Sequence, residues 1–290
     1  GLGDVYKRQE WQAASKAQAL IEEQQAQLDT LLSLVEKRKK AGDLGDIDAE
    51  LTFLSLSTQL TQVAEVEASL QRSRAHAQEL LAEWSPTTGG IPSKFWMQEI
   101  LDGSDQDLQS LPLVASAKAN WHALSEAAEA ARLSAKAEPT VGISAGRDGE
   151  ESVVGLSFSI PLHVRNNYSA ESRAAAKAAL EAEATYRALL RKQRFERQAA
   201  LSAWQRLDQQ YQRWQSQVQK RVKKSETLLK RQWTSGDLST AEYLLALNQR
   251  TESLLAGIDM EKQTRIEFIE LLLKSGRLTA VLDTPSTLVN

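Results

Sequence analysis

The sequence predicts a mainly α-helical chain of long antiparallel coiled-coil helices, interrupted by one β-hairpin. Three observations carry that prediction. Proline is confined to Pro86, Pro92, Pro112, Pro139, Pro161 and Pro285, which leaves 1–85 and 162–284 free of it. Both stretches are dominated by Ala, Leu, Gln, Glu, Lys and Arg, the usage of long helices and coiled coils. Between them, Val141, Ile143 and Ala145, then Val154, Leu156, Phe158 and Ile160, alternate with Gly or Ser. Period-two alternation marks strands with one apolar face.

In chain order, residues 1–9 (Gly1-Leu2-Gly3-Asp4-Val5-Tyr6-Lys7-Arg8-Gln9) resemble a translated sequencing-adapter scar and stay outside the fold argument. The chain begins at Gly1 rather than Met, so it is expected to be a fragment or processed form. Residues 10–84 are expected to form a helical hairpin. Its first helix, 10–40, carries Leu20, Leu28, Leu31 and Val35 at near-heptad spacing. Lys37, Arg38, Lys39 and Lys40 suit the negative end of the helix dipole. Gly42 supplies a left-handed stop, and Asp43 or Asp46 can cap the return helix of 47–84.

Residues 85–110 are rich in turn formers and read as a linker. A helix is expected over 111–137, with Pro112 in its first turn, followed by the strand hairpin within 138–167. There Asp148-Gly149 is a strong tight-turn signal. Residues 168–275 make a second helical hairpin. Its descending helix is expected to run unbroken over 169–234, on the order of 100 Å at 1.5 Å per residue. Trp204, Leu207, Tyr211, Trp214, Val218 and Val222 form its apolar seam, and its Ala-rich start lets backbones approach closely. Ser235-Gly236-Asp237-Leu238 ends it, a return helix covers 240–274, and 276–290 is expected to be a loose tail. A shift of 194 residues overlays Gly42-Asp43-Leu44 on Gly236-Asp237-Leu238, so the two helical hairpins read as a repeat.

Composition excludes several functions. The net charge is −3 with 25% charged residues, which points to no particular partner. With 0 cysteines there is no disulfide framework, thiolate metal site or cysteine nucleophile. His76, His122 and His163 share no ligand spacing, and no phosphate loop, nucleophile elbow or His-Glu metal motif is present. No catalytic, cofactor or metal residue is therefore expected, and the chain is not expected to be an enzyme. Lys and Arg outnumber acids over 187–231, but without a nucleic-acid motif this reads as a solvated face, and no nucleic-acid partner is expected. No run of about 18 apolar residues suits a transmembrane helix.

The hairpin has the chemistry of a membrane stave. Each run is long enough for a tilted strand crossing a bilayer, with one face of Val, Leu, Phe and Ile and the other of Gly and Ser. An isolated hairpin is marginal in water, so its partner strands must come from elsewhere. The expected membrane-facing residues are Val141, Ile143, Ala145, Val154, Leu156, Phe158 and Ile160. The two turns, Ala41-Gly42-Asp43-Leu44 and Ser235-Gly236-Asp237-Leu238, are expected to be exposed tips that meet a partner's helices.

These segments carry a family resemblance. Residues 138–149, Val154 to Leu162 and Arg165-Asn166-Asn167 look like the second strand hairpin of TolC-family outer-membrane efflux proteins. The strand exit Pro161-Leu162…Arg165-Asn166 is most similar to the CzcC-like cation-efflux branch, and the two Gly-Asp-Leu turns resemble the family's periplasmic helix tips. The resemblance spans about 10–275. It implies a trimeric α/β-barrel channel in the outer membrane and periplasm of a Gram-negative bacterium. The chain would be a homotrimer in contact with outer-membrane lipid, a periplasmic adaptor and an inner-membrane pump, passively exporting cargo such as metal cations. Relative to that pattern the signal sequence, first strand hairpin and most of the first long helix are missing. The alternative is a soluble coiled-coil scaffold or periplasmic adaptor-type structural protein; an adaptor would add lipoyl-like β segments, and none are seen.

Overall fold

The computed structural model describes residues 2–42, 45–80, 108–136, 138–160 and 168–278. The chain divides into two compact units, 1–101 with 197–290, and 102–196. Helix α1 spans Leu2–Ala41 and α2 Asp46–Leu80. Helix α3 (Pro112–Ser134) precedes strands β1 (Thr140–Asp148) and β2 (Glu151–Ser159). Helix α4 runs over Ser169–Trp214, a π-helical segment over Gln215–Gln219, α5 over Lys220–Ser235 and α6 over Thr240–Lys274.

In the first unit, α1 follows a heptad more strictly than the sequence suggested. Ala14, Ile21, Leu28 and Val35 are buried seven apart, with Gln24 and Leu31 buried between them. Ile21 therefore takes the seam place expected for Leu20, which is only half-buried. The helix also starts earlier than residue 10. Nothing over 2–9 breaks a helix that is already propagating, and Val5 packs with Phe268, Ile269, Leu272 and Leu278. Their helicity follows from propagation and packing, whatever their origin.

A second core cluster joins Leu28, Leu31 and Val35 of α1 to Trp233, Tyr243, Leu244 and Leu247, with Leu34, Leu229 and Leu238 packed against it. Two expectations fail here. The long helix is not uninterrupted, because five residues take the wider π winding. The tail is also not loose at its start. Gly276 (φ 70°) donates to the Leu273 carbonyl and Arg277 to that of Leu272, which closes α6 and folds Leu278 into the core at 4% exposure. Residues 81–107 and 279–290, which include most of the expected linker and tail, lie outside the described residues.

The second unit holds α3, the two strands and the first part of α4. Trp121 of α3 stacks on Tyr186 of α4, with ring centroids 5.6 Å apart and planes 15° from parallel. Helix α3 stops at Ser134, short of the expected 137, with its last turn tightened by the Lys136 amide donating to the Leu133 carbonyl. The strands pair antiparallel in one register, Val141 opposite Phe158, Ile143 opposite Leu156 and Ala145 opposite Val154. The loop is offset by one residue from the expected Asp148-Gly149. Asp148 pairs with Glu151, so Gly149 and Glu150 make the turn. Gly149 has φ 65° and Glu150 does not take a positive φ, the pattern of a type II′ turn with glycine at its first central position.

Candidate functional site: strand hairpin and helical tips

Cross-strand neighbours on one face of the hairpin are Val141/Phe158, Ile143/Leu156 and Ala145/Val154, continued by Ile160 just past β2. Those six pairing residues and Ile160 are all exposed; Ile143 and Leu156 show 77% and 80% of their surface. An apolar face this open marks an interaction surface. Among the described residues the sheet has only these two strands, so both outer edges carry unpaired backbone groups, a template for further strands.

The opposite face is mostly small, with Val153 opposite Gly146 its one large apolar residue, and its Gly and Ser groups close on one another. Gly142 lies opposite Ser157 and Gly155 opposite Ser144. Ser144 Oγ donates to the Gly155 carbonyl at 3.4 Å and Ser157 Oγ to that of Gly142 at 3.3 Å. A Cβ on Gly142 would sit 2.7 Å from Ser157 Oγ, so glycine here is what lets the opposing serine fold over its backbone. The seven residues expected to face a membrane thus share one face, and Gly142, Ser144, Gly155 and Ser157 share the other.

The tips are built by helix-stop chemistry. At the second, Gly236 (φ 83°) donates to the Trp233 carbonyl at 3.2 Å and Asp237 to that of Gln232 at 2.9 Å, a Schellman closure. Ser235 Oγ donates to Asp237 Oδ2 at 2.6 Å. The return helix opens on a capping box, with the Glu242 amide donating to Ser239 Oγ and the Ser239 amide to the Glu242 carboxylate. The Ser239 backbone bond, ahead of its side-chain bond, holds the Glu242 carboxyl below the usual range. Ser235, Gly236 and Asp237 are exposed, whereas Leu238 is half-buried against the core of its own chain. At the first tip, Ala41 and Gly42 are exposed, and Gly42 (φ 79°) donates to the Lys39 carbonyl at 3.1 Å. Asp43 and Leu44 lie outside the described residues.

Sequence reasoning stopped at the turns and missed the support behind the second tip. Trp233 and Tyr243 stack with centroids 4.9 Å apart and planes 8° from parallel, and Trp233 Nε1 donates to Thr240 Oγ1 at 3.3 Å. One further layer in, the Glu226 carboxylate of α5 accepts from Arg250 of α6 at 2.5 Å and from Gln27 of α1 at 3.0 Å. The Ser-x-x-Glu spacing of Ser239 and Glu242 was the readable signal for the cap; the ion pair is 24 residues apart and had none.

No family model matches the chain, and no curated protein matches it. Solved structures do. A membrane protein from Pseudomonas aeruginosa aligns at 16% identity and TM-score 0.72, covering 95% of this chain and 67% of that one. The CmeC outer membrane channel of Campylobacter jejuni aligns at 13% identity and TM-score 0.69, covering 100% and 66%. The MtrE outer membrane channel of Neisseria gonorrhoeae, in its open state, aligns at 17% and 0.66, covering 96% and 65%. The chain thus spans about two thirds of the length of each. At such identities the likeness is one of fold, and the fold is that of outer-membrane channels.

Proposed function

We propose that this chain is part of one protomer of a TolC-type outer-membrane efflux channel, a passive exit duct that works as a homotrimer with a periplasmic adaptor and an inner-membrane pump. The observation that carries the proposal is the hairpin. Seven of its apolar residues share one face and are all exposed, with only Val153, opposite Gly146, on the other, and among the described residues both its edges are free to pair. In water that surface is a liability. In a closed barrel shared between copies, the apolar face meets lipid, the Gly/Ser face meets the lumen, and the edges vanish. The fold likeness to outer-membrane channels supports the same assignment.

The tips supply exposed backbone and small polar groups suited to an adaptor's helices, with Ala41, Gly42, Ser235, Gly236 and Asp237 at the surface. Metal cations are the cargo to test first, on the resemblance of Pro161-Leu162…Arg165-Asn166 to the cation-efflux branch. Those residues lie outside the described ones.

The test is cysteine labelling, which the 0 cysteines of these residues make clean. Single cysteines at Ile143, Leu156 or Phe158, in the protein expressed from its complete gene, should resist a water-soluble maleimide in intact membranes. Cysteines at Ser144, Ser157 or Ser159 should react through the lumen. Equal reactivity on both faces would refute the barrel assignment and favour the soluble scaffold.

A further inference from the structure

The π-helical segment Gln215–Gln219 is an interruption that neither the hairpin nor the tips require. Such segments are single-residue insertions into an α-helix and are costly unless something holds them. The holding contact is visible. Trp214, the residue before the segment, has its indole six-membered ring against Gly257 of α6, and a Cβ on Gly257 would fall 2.1 Å from Cζ2 of that ring. Only glycine admits that approach, and Gly257 is buried. Tyr211, one turn earlier, stacks parallel to Trp214 at 7°.

The seam explains what the extra residue does. Trp214, Val218 and Val222 are spaced by four and four, over which an ordinary α-helix would rotate about 80° beyond two full turns. The wider π winding absorbs that excess and returns Val222, buried at 9% exposure, to the side of Trp214. The first repeat has no counterpart. The positions equivalent to Trp214 and Gly257 under the 194-residue shift are Leu20 and Val63, and α1 is unbroken over Leu2–Ala41.

We propose that Gln215–Gln219 is a one-residue slip joint, held by Trp214 seated on Gly257, through which α5 and the Gly236 tip change register against α6. A π segment and an α segment of equal length differ by the rotation of one residue, about 100°. If the segment reverts to α winding, α5 turns by that angle unless its partners hold it. The first hairpin has no such joint, so the device is confined to the second. Its use in transport rests on the channel assignment above; its existence does not.

Spin labels at Thr234 and Glu252, in the full chain, read the second hairpin, and labels at Lys40 and Leu60 serve as control in the first. Deleting Gln217 should keep the main Thr234–Glu252 distance and cooperative unfolding, because removing the inserted residue leaves a plain α-helix with α5 in place. Trp214→Ala should broaden or split that distance and leave the control pair unchanged. A deletion that moves the main distance, or a Trp214→Ala chain with an unchanged distribution, overturns the joint. Gly257→Ala keeps the test decisive if Trp214→Ala fails to fold: it should displace the indole and give the same broadening, and an unchanged distribution overturns the joint here too. In the assembled channel the deletion should insert and lose export. Insertion with full export would remove the joint from transport, whereas a wild-type protein that never reaches the outer membrane would refute the channel and leave the joint standing.

Discussion

Gly42 and Gly236 each close a helix in the left-handed conformation, at φ 79° and 83°, yet what stands behind them differs. Behind Gly236, Trp233 stacks on Tyr243, Thr240 accepts the indole N–H, and the Ser239–Glu242 box caps the return helix. Under the same 194-residue shift Trp233 becomes Lys39, Tyr243 becomes Ala49, Thr240 becomes Asp46 and Ser239 becomes Gly45. Among the described residues the first tip has instead Lys39, 3.6 Å from Asp46 and 3.9 Å from Glu50, both of those acids largely exposed. Exposed pairs of this kind contribute little, while a buried aromatic stack contributes burial and ring contact together. Two turns of the same Gly-Asp-Leu sequence thus sit on an ionic, yielding tip and on an aromatic, well-anchored one. The stack, the indole bond and the Glu226–Arg250 pair all join α5 to α6, so they are the contacts that a change of register at the π segment must exchange.

The contrast between the tips is widest at the aromatic stack. Trp233→Ala should cost about 3–5 kcal/mol in urea unfolding, the usual penalty for truncating a buried aromatic, whereas Lys39→Ala should fall within about 0.5 kcal/mol. Equal losses would erase the distinction. Arg250→Ala comes next. It leaves Glu226 with Gln27 alone, and the half-open position of the carboxylate limits the loss to about 1–2 kcal/mol. Gly236→Ala and Gly42→Ala should each cost about 1–2 kcal/mol, since both glycines are left-handed; a marked inequality would show that one cap is dispensable.

Ser239→Ala follows at about 1 kcal/mol, and beside it Glu242 carries a pH signature. The carboxyl of Glu242 is held low in the folded chain, so its contribution is present above the usual carboxylate range and is lost as pH falls through the lowered value. Ser239→Ala keeps the backbone N–H that bonds the carboxylate and loses a bond from an amide that does not titrate, so its deficit should persist under acid, whereas wild type and Glu242→Gln should converge there. A gap between Glu242→Gln and wild type that persists at low pH would show that the glutamate acts other than through its charge.

Much of this was legible in the sequence because it rests on local rules. Alternation along 141–160 fixed which residues share a strand face, and the two Gly-Asp-Leu turns marked helix ends. The failures share a cause, which is tertiary contact between distant residues. Spacing of four and four from Trp214 to Val222 reads equally as one α seam until Gly257 shows where the indole lies. Leu278 looks like tail until Val5 and Phe268 are beside it. The turn slipped by one residue because Asp-Gly and Gly-Glu both satisfy a two-residue loop, and pairing of Asp148 with Glu151 decides between them.

The central claim is that one hairpin face meets lipid and the other does not. Leu156→Arg and Ser157→Arg place the same charge on adjacent residues of β2, on opposite faces. Outer-membrane recovery of the full-length protein, measured for both, tests the claim most directly. A charge facing lipid near the bilayer midplane costs about 2–4 kcal/mol per stave, so Leu156→Arg should lose membrane-assembled protein while Ser157→Arg inserts and alters conductance. Recovery of both at wild-type levels, or loss of Ser157→Arg alone, would contradict it.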